Sequence, residues 1–151
     1  MIQSMWYKIV PMAKEHLPGI AAVEQASFSI PWSAAAFADE LENPLAHYFV
    51  LLEEDVVRGY CGYWLVGDEG QITNIAVAPP ARGQGFGKEL LSHMIADAEQ
   101  KGVTALFLEV RVSNLAARNL YRHFGFETVG LRPKYYSDNQ EDALLMRRKI
   151  L

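Results

Sequence analysis

The chain is short of the features that mark several common tasks. It has one cysteine, Cys61, so no internal disulfide can form, and a cysteine-based structural zinc site is excluded. Cys61 lies in the apolar run Tyr60-Cys61-Gly62-Tyr63-Trp64 and reads as a small buried hydrophobe rather than a nucleophile. Basic charge is scarce. Fourteen Lys and Arg against eighteen Asp and Glu give a net charge of −4, which is not the electrostatic footprint of a nucleic-acid binder. No stretch approaches the roughly 18 apolar residues that span a bilayer. The first residues lack a basic segment leading into an apolar one, as a secretory signal would have. His16, His47, His93 and His123 are scattered with no H-E-x-x-H, and no G-x-S-x-G elbow exists, so neither a metal nor a serine nucleophile is expected. A cytoplasmic protein with no nucleic-acid or membrane partner is the expectation.

What is present is ordinary globular composition, 50% hydrophobic and 21% charged, without repeats or linkers. One domain over 1–151 is expected. The pattern predicts a strand at Tyr7 to Val10, a helix from about Glu15 to Gln25 with Pro18 tolerated in its first turn, and a helix capped by Ser33 through Glu42. Strands follow at His47 to Leu52, Val56 to Val66 and Gln71 to Val77, with turns at Glu54-Asp55 and Gly67 to Gly70. The longest helix opens at Arg82 to Gly87; Phe86, Leu90, Met94 and Ala98 recur at helical spacing, with Leu91 and Ile95 beside them. A strand at Ala105 to Val110, a helix capped by Ser113 through Phe124, and strands at Glu127 to Leu131 and Ala143 to Lys149 complete the chain. The order β-α-α-β-β-β-α-β-α-β-β fits neither a sandwich nor a doubly wound sheet, so a mixed α/β sheet covered by helices is expected.

The strand-to-helix segment Arg82-Gly83-Gln84-Gly85-Phe86-Gly87 carries the strongest local signal. A helix's first turn leaves N–H groups unpaired and its dipole favours an anion; glycines let a phosphate approach them, and Arg82 and Lys88 add positive charge. The nucleotide-triphosphate loop G-x-x-x-x-G-K-[ST] fails twice, at Arg82 and at Glu89. The dinucleotide pattern G-x-G-x-x-G from Gly83 meets Lys88 where its last glycine belongs. The pattern R-x-x-G-x-G after a strand and before a helix fits without adjustment. A glycine-rich loop with no ligand is the bland alternative.

That hexapeptide, preceded by Asn74-Ile75-Ala76-Val77, resembles the acyl-CoA-binding core of the GNAT superfamily of N-acetyltransferases, and within it the RimI-type alanine N-acetyltransferases that modify a ribosomal protein. Further matches are Pro31-Trp32-Ser33, Leu108-Glu109-Val110-Arg111, Ser113-Asn114, Asn119-Leu120-Tyr121, Phe124-Gly125-Phe126, Tyr135-Tyr136 and Glu141-Asp142-Ala143, so the resemblance spans essentially the whole chain. It implies a mixed, splayed sheet flanked by helices on both faces, with acetyl-CoA as co-substrate wedged between the strands ending near Val77 and Val110. Arg82, Gly83, Gln84, Gly85, Phe86, Gly87 and Lys88 would hold the pyrophosphate. The backbone of Ile75, Ala76 and Val77 would pair with the pantetheine arm, and an N–H of Ile75 or Val77 would meet the oxyanion. Glu109 matches the general base, acting through water, and Tyr121 the general acid. Asn114 is either a pantetheine ligand or a helix-capping amide. Trp32, Tyr135 and Tyr136 would wall the groove for the acceptor, the N-terminal alanine of a ribosomal protein.

The residue types suit that chemistry. Acetyl transfer needs a neutral amine, a held thioester and a proton for the departing thiolate. An α-amino group titrates at about 7.7–8.0 and lysine at about 10.4, so a modest base suffices for a chain end. A lysine or small-amine acceptor, or a silent acyl-CoA-binding module, stays open from the residues alone. So do bland roles: Glu109 paired with Arg111, Tyr121 as core aromatic, and Glu24, Asp138 and Glu141 as a solvated acidic face.

Overall fold

The computed structural model describes residues 6–150. It begins with β1 (Tyr7–Pro11), α1 (Leu17–Ser27) and α2 (Ala34–Glu42), followed by β2 (Ala46–Glu53), β3 (Val56–Val66) and β4 (Glu69–Val77). Then come α3 (Phe86–Gln100), β5 (Ala105–Arg111), α4 (Leu115–His123), β6 (Glu127–Arg132) and β7 (Ala143–Lys149). The strands form one sheet in the order β1-β2-β3-β4-β5-β7-β6. Among the described strands only the β4–β5 pairing is parallel, with α3 as its crossover. The expected meander is β2-β3-β4, and its first turn places Glu54 and Asp55 at φ 51° and 66°, the left-handed geometry of a tight hairpin.

Two apolar clusters lie on opposite faces of the sheet. On one, the stripe of α3 packs with Phe49, Leu51, Cys61, Tyr63, Leu106 and Leu108, and Tyr121 of α4 joins it. On the other, Ile20 and Val23 of α1 and Phe37 of α2 cover Tyr48, Val50 and Tyr60. Both faces are therefore covered, which explains why β2 and β3 read as nearly continuous apolar runs rather than alternating ones. The α3 side chains Leu90, Leu91 and Met94 are fully buried, each contributing about 1.5–3 kcal/mol of transfer free energy.

Two features of β4 shape the cleft. Its register against β3 slips between Gly62 and Tyr63, so that Tyr63 pairs with Ile72 and Gly62 with Asn74. Thr73 is the extra residue of a bulge, and the side-chain parity flips across it: Ile72 and Ile75, three apart, both meet the α3 cluster. Against β5, pairing runs only through Glu69–Ala105, Gly70–Leu106 and Gln71–Phe107. Beyond Gln71 the two strands diverge, and the sheet splays as the resemblance implied.

Several strand ends and the end of the first helix lie one or two residues from expectation, and two helix starts differ in kind. The expected first helix begins with a 3-10 turn at Lys14–His16 before α1. Ser113 does not cap α4; Asn114 does, its side chain accepting from Ala117 N–H at 3.1 Å. Ser113 lies in the preceding turn, its own N–H held by Glu141 Oε2 at 2.7 Å.

Candidate active site

A cleft of about 970 Å³ opens where β4 and β5 part. Successive N–H groups along a strand point to opposite edges. Ala78 N–H bonds Arg58 O on β3 at 2.8 Å, so the amides of Ile75 and Val77 face the opposite, unpaired edge. That edge of β4 is a ready template for an extended polar chain.

At the cleft's upper end stands the start of α3. Gly85, its N-cap, has φ 86° and offers no side-chain cap, and Gly83 has φ 82°. Both need the left-handed region that glycine enters freely. Gly87 differs. A Cβ there would lie 3.7 Å from Leu120 Cδ2 and 3.9 Å from Val77 Cγ2, an ordinary fit that points toward the cleft. Its missing side chain keeps space open rather than relieving strain. Glu89 N–H is bonded to Gly85 O at 3.1 Å, leaving the amides before it as the anion-facing set.

Arg82 is exposed but anchored. Its Nε donates to Val77 O at 2.9 Å and its guanidinium to Ser27 Oγ at 3.2 Å, so it ties the end of β4 to α1 while its charge stays at the cleft wall. Arg82, Gly83, Gly85, Phe86 and Gly87 line the cleft; Gln84 and Lys88 belong to the same loop and turn but do not.

Glu109 and Tyr121 both reach this cleft. On β5, Leu106, Leu108 and Val110 face the α3 cluster, so Glu109 and Arg111 face the other way. Glu109 is not paired with Arg111. Its Oε2 accepts from Gln71 Nε2 at 3.0 Å, and its Oε1 lies 3.2 Å from Arg132 Nε. Tyr121 is a core aromatic that also lines the cleft: its ring packs 5.7 Å from Phe126, and only 6% of the residue is exposed. Among the described residues nothing hydrogen-bonds its hydroxyl, nor is that oxygen sealed from solvent. Burial, with a smaller contribution from Tyr136, pushes its phenol above the ordinary range, so it stays protonated.

The far end is aromatic. Trp32 packs 5.4 Å from Phe37, and Tyr135 meets Tyr136 edge-on at 5.1 Å in the β6–β7 loop. Burial pushes the Tyr136 phenol up to about 12, against the opposing pull of Arg111, whose guanidinium lies 4.0 Å over the ring. Asn114 lines the cleft too, but its oxygen is engaged as the α4 cap.

The expected solvated acidic face is broken at Glu24, while Asp138 stays exposed and Glu141 half-buried. Glu24 is 2% exposed at the cleft floor, accepting from the Tyr60 hydroxyl and from Trp32 N–H at 2.9 Å. Burial raises its carboxyl above the usual range, while the Trp32 and Asn74 bonds pull it down. Asp138 and Glu141 are bound by Ser29, Arg111 and Ser113. Glu24 was findable: it stands four residues after Ile20, on the buried stripe of α1, where a carboxylate needs a reason. Gln71 and Arg132 were not findable, since their pairing with Glu109 is long-range.

No group of His, Cys, Asp and Glu suited to a metal occurs among the described residues. No helix there is long and apolar enough to cross a membrane.

Comparison with known proteins agrees with this geometry. The profile of the Acetyltransferase (GNAT) family matches residues 17–126. A Bacillus subtilis (strain 168) protein, provisionally named a [ribosomal protein bS18]-alanine N-acetyltransferase, is 45% identical over 89% of this chain and 90% of its own. The Escherichia coli (strain K12) [ribosomal protein bS18]-alanine N-acetyltransferase is 38% identical over 89% and 91%. The crystal structure of the ribosomal-protein-S18-alanine N-acetyltransferase from Escherichia coli superimposes with a TM-score of 0.89 at 36% identity, covering 95% of this chain and 94% of that one. An unpaired strand edge, an uncapped glycine-rich helix start and this likeness have one reading: the chain belongs to the GNAT family of acetyl-CoA-dependent N-acetyltransferases.

Proposed function

We propose that this enzyme acetylates the α-amino group of an N-terminal alanine on a ribosomal protein, with Glu109 as general base and Tyr121 as general acid. The observation that carries the reading is the free edge of β4, which faces a carboxylate and an unpartnered phenol inside one cleft. The names of the relatives favour this acceptor.

The residues divide the work along the cleft. The amides at the start of α3 take the pyrophosphate of acetyl-CoA, and the β4 edge aligns its amide-bearing arm as an added strand would. The thioester carbonyl then lies near Ile75 and Val77, where a backbone N–H stabilises the developing oxyanion. The acceptor nitrogen attacks the carbonyl carbon and loses its proton to Glu109 through water. The C–S bond breaks, and the sulfur leaves with the proton of Tyr121. Burial keeps the proton on Tyr121 until it is needed, and a bare thiolate in the same desolvated cleft is also disfavoured. Cys61 takes no part: its thiol is fully buried on the α3 side and pushed up by burial, so no acyl-enzyme forms there.

The test is thiol release from acetyl-CoA with a short alanyl peptide, beside the same peptide blocked at its N-terminus and carrying a lysine. Release only with the free terminus is expected. Release from the blocked peptide moves the acceptor to lysine, and calorimetric binding of acetyl-CoA with no release for any amine leaves a silent module.

A further inference from the structure

Arg111 ends β5 with its side chain on the cleft side, and nothing in the reaction above uses it. Its guanidinium grips Asp138 in bidentate fashion, at 2.8 Å and 3.0 Å, and reaches Asn139 Oδ1 at 3.2 Å and Glu141 Oε1 at 3.4 Å. The same group covers the ring of Tyr136 at 4.0 Å. All four partners sit in the β6–β7 loop, where Lys134 and Gln140 hold left-handed φ values of 53° and 60° without being glycine. Such backbone persists only where surrounding contacts over-determine it.

The partners of Arg111 continue outward. Asp138 Oδ2 also accepts from Ser29 Oγ at 2.6 Å, joining the β6–β7 loop to the α1–α2 loop across the cleft. Glu141 Oε2 accepts from Ser113 N–H at 2.7 Å, joining it to the turn before α4. One guanidinium thus fastens three segments of the cleft wall. A lysine could replace its charge but not its planar fork or its stacking on Tyr136.

We propose that Arg111 is the positioning residue of the acceptor groove, holding Tyr136 in place directly and closing the β6–β7 loop onto the α1–α2 loop through Asp138 and Ser29. This rests on the reading of Trp32, Tyr135 and Tyr136 as the acceptor wall. Arg111 touches neither the start of α3 nor the β4 edge, so its loss acts chiefly on the acceptor side. The lowered carboxyl of Asp138, held down by the Ser29 hydroxyl and by Arg111, keeps the bridge charged across the working range.

Steady-state kinetics with acetyl-CoA and an alanyl peptide test this on Arg111→Lys, Asp138→Asn and Ser29→Ala. The expected result is a peptide KM raised roughly tenfold in the first two and several-fold in the third, with the acetyl-CoA KM within about twofold of wild type. The double variant Arg111→Lys/Asp138→Asn should be no worse than the worse single. An unchanged peptide KM in folded Arg111→Lys overturns the proposal, as does an equal rise in both KM values. If Arg111→Lys fails to fold, the two loop variants decide by the same criteria. Amide hydrogen exchange over residues 133–142 separates the two levels of inference. Faster exchange in Arg111→Lys alongside a wild type inert toward the peptide keeps the clamp and rejects the reaction; unchanged exchange rejects the clamp.

Discussion

Oε1 of Glu109 lies 3.2 Å from Nε of Arg132, and the other oxygen of the same carboxylate is held by Gln71. The two partners come from β6 and β4, on either side of β5, and fix the direction in which Glu109 addresses the cleft. Arg132 is half exposed, so the ion pair adds about 0–1 kcal/mol to stability at most. Its value lies in aim.

Replacing Glu109 by Gln should lower kcat by about 10²–10⁴-fold while leaving the acetyl-CoA KM close to wild type. The loss should be greatest below the amine's pKa of about 7.7–8.0, where a proton must be removed. Arg132→Leu should leave the melting temperature nearly unchanged yet reduce kcat. A pH–rate profile for Glu109→Gln that overlays wild type removes this carboxylate from the mechanism.

Tyr121→Phe keeps the ring against Phe126 and removes a hydroxyl with no protein partner among the described residues. Stability should hold, because no donor or acceptor is orphaned. Turnover should fall by roughly 10²-fold if proton delivery to sulfur is required. Wild-type turnover with an unchanged melting curve would reduce Tyr121 to a packing residue.

The glycines of the helix start should separate into two kinds. Gly85→Ala forces an L-residue into φ 86° and should cost about 1–2 kcal/mol of stability in the free protein. Gly87→Ala meets only ordinary contacts and should fold as well as wild type or better. Its methyl points into the cleft, so acetyl-CoA affinity should drop severalfold. Calorimetry and thermal melts on both variants check this; equal acetyl-CoA affinity in Gly87→Ala would place the pyrophosphate elsewhere.

How far the sequence reached follows from the range of the interactions involved. The stripe Phe86, Leu90, Met94 and Ala98, the Glu54-Asp55 turn and the R-x-x-G-x-G segment are local patterns, and each is found where the spacing placed it. The resemblance singled out Glu109 and Tyr121 as candidates, and the splayed sheet brings both to one cleft. What failed was distant or subtle. Glu24 lies in helical phase with Ile20, but its donors Tyr60 and Trp32 come from other elements. The cap falls on Asn114 rather than Ser113, one residue on, a shift that the spacing of two good capping residues in a row does not decide. Arg111, which the bland alternative paired with Glu109, turns instead to a loop nearly thirty residues on. The bulge at Thr73 broke the period-two pattern that would have assigned the faces of β4.

Alkaline conditions should destabilise the fold. Burial holds the phenols of Tyr48, Tyr63 and Tyr121 and the thiol of Cys61 above their ordinary ranges. Below the unfolded pKa values, about 8.5 for the thiol and about 10 for the phenols, both states keep these protons and this stabilisation is complete. As pH rises past them, the unfolded chain releases protons that the folded one retains, so stability declines. Urea midpoints should therefore be level up to about pH 8 and lower at about pH 10.5. A midpoint unchanged over that interval would contradict the burial of these groups.

Three residue pairs are a slender seam between the two halves of a seven-stranded sheet. An incoming thioester arm that bonds the vacant β4 edge supplies rungs the polypeptide itself leaves out. Saturation with acetyl-CoA should then knit the halves together and raise the melting temperature, with stabilisation growing as the logarithm of concentration above Kd. On the proposed binding mode the enzyme would borrow part of its architecture from the molecule it consumes, each round of catalysis closing and reopening that seam.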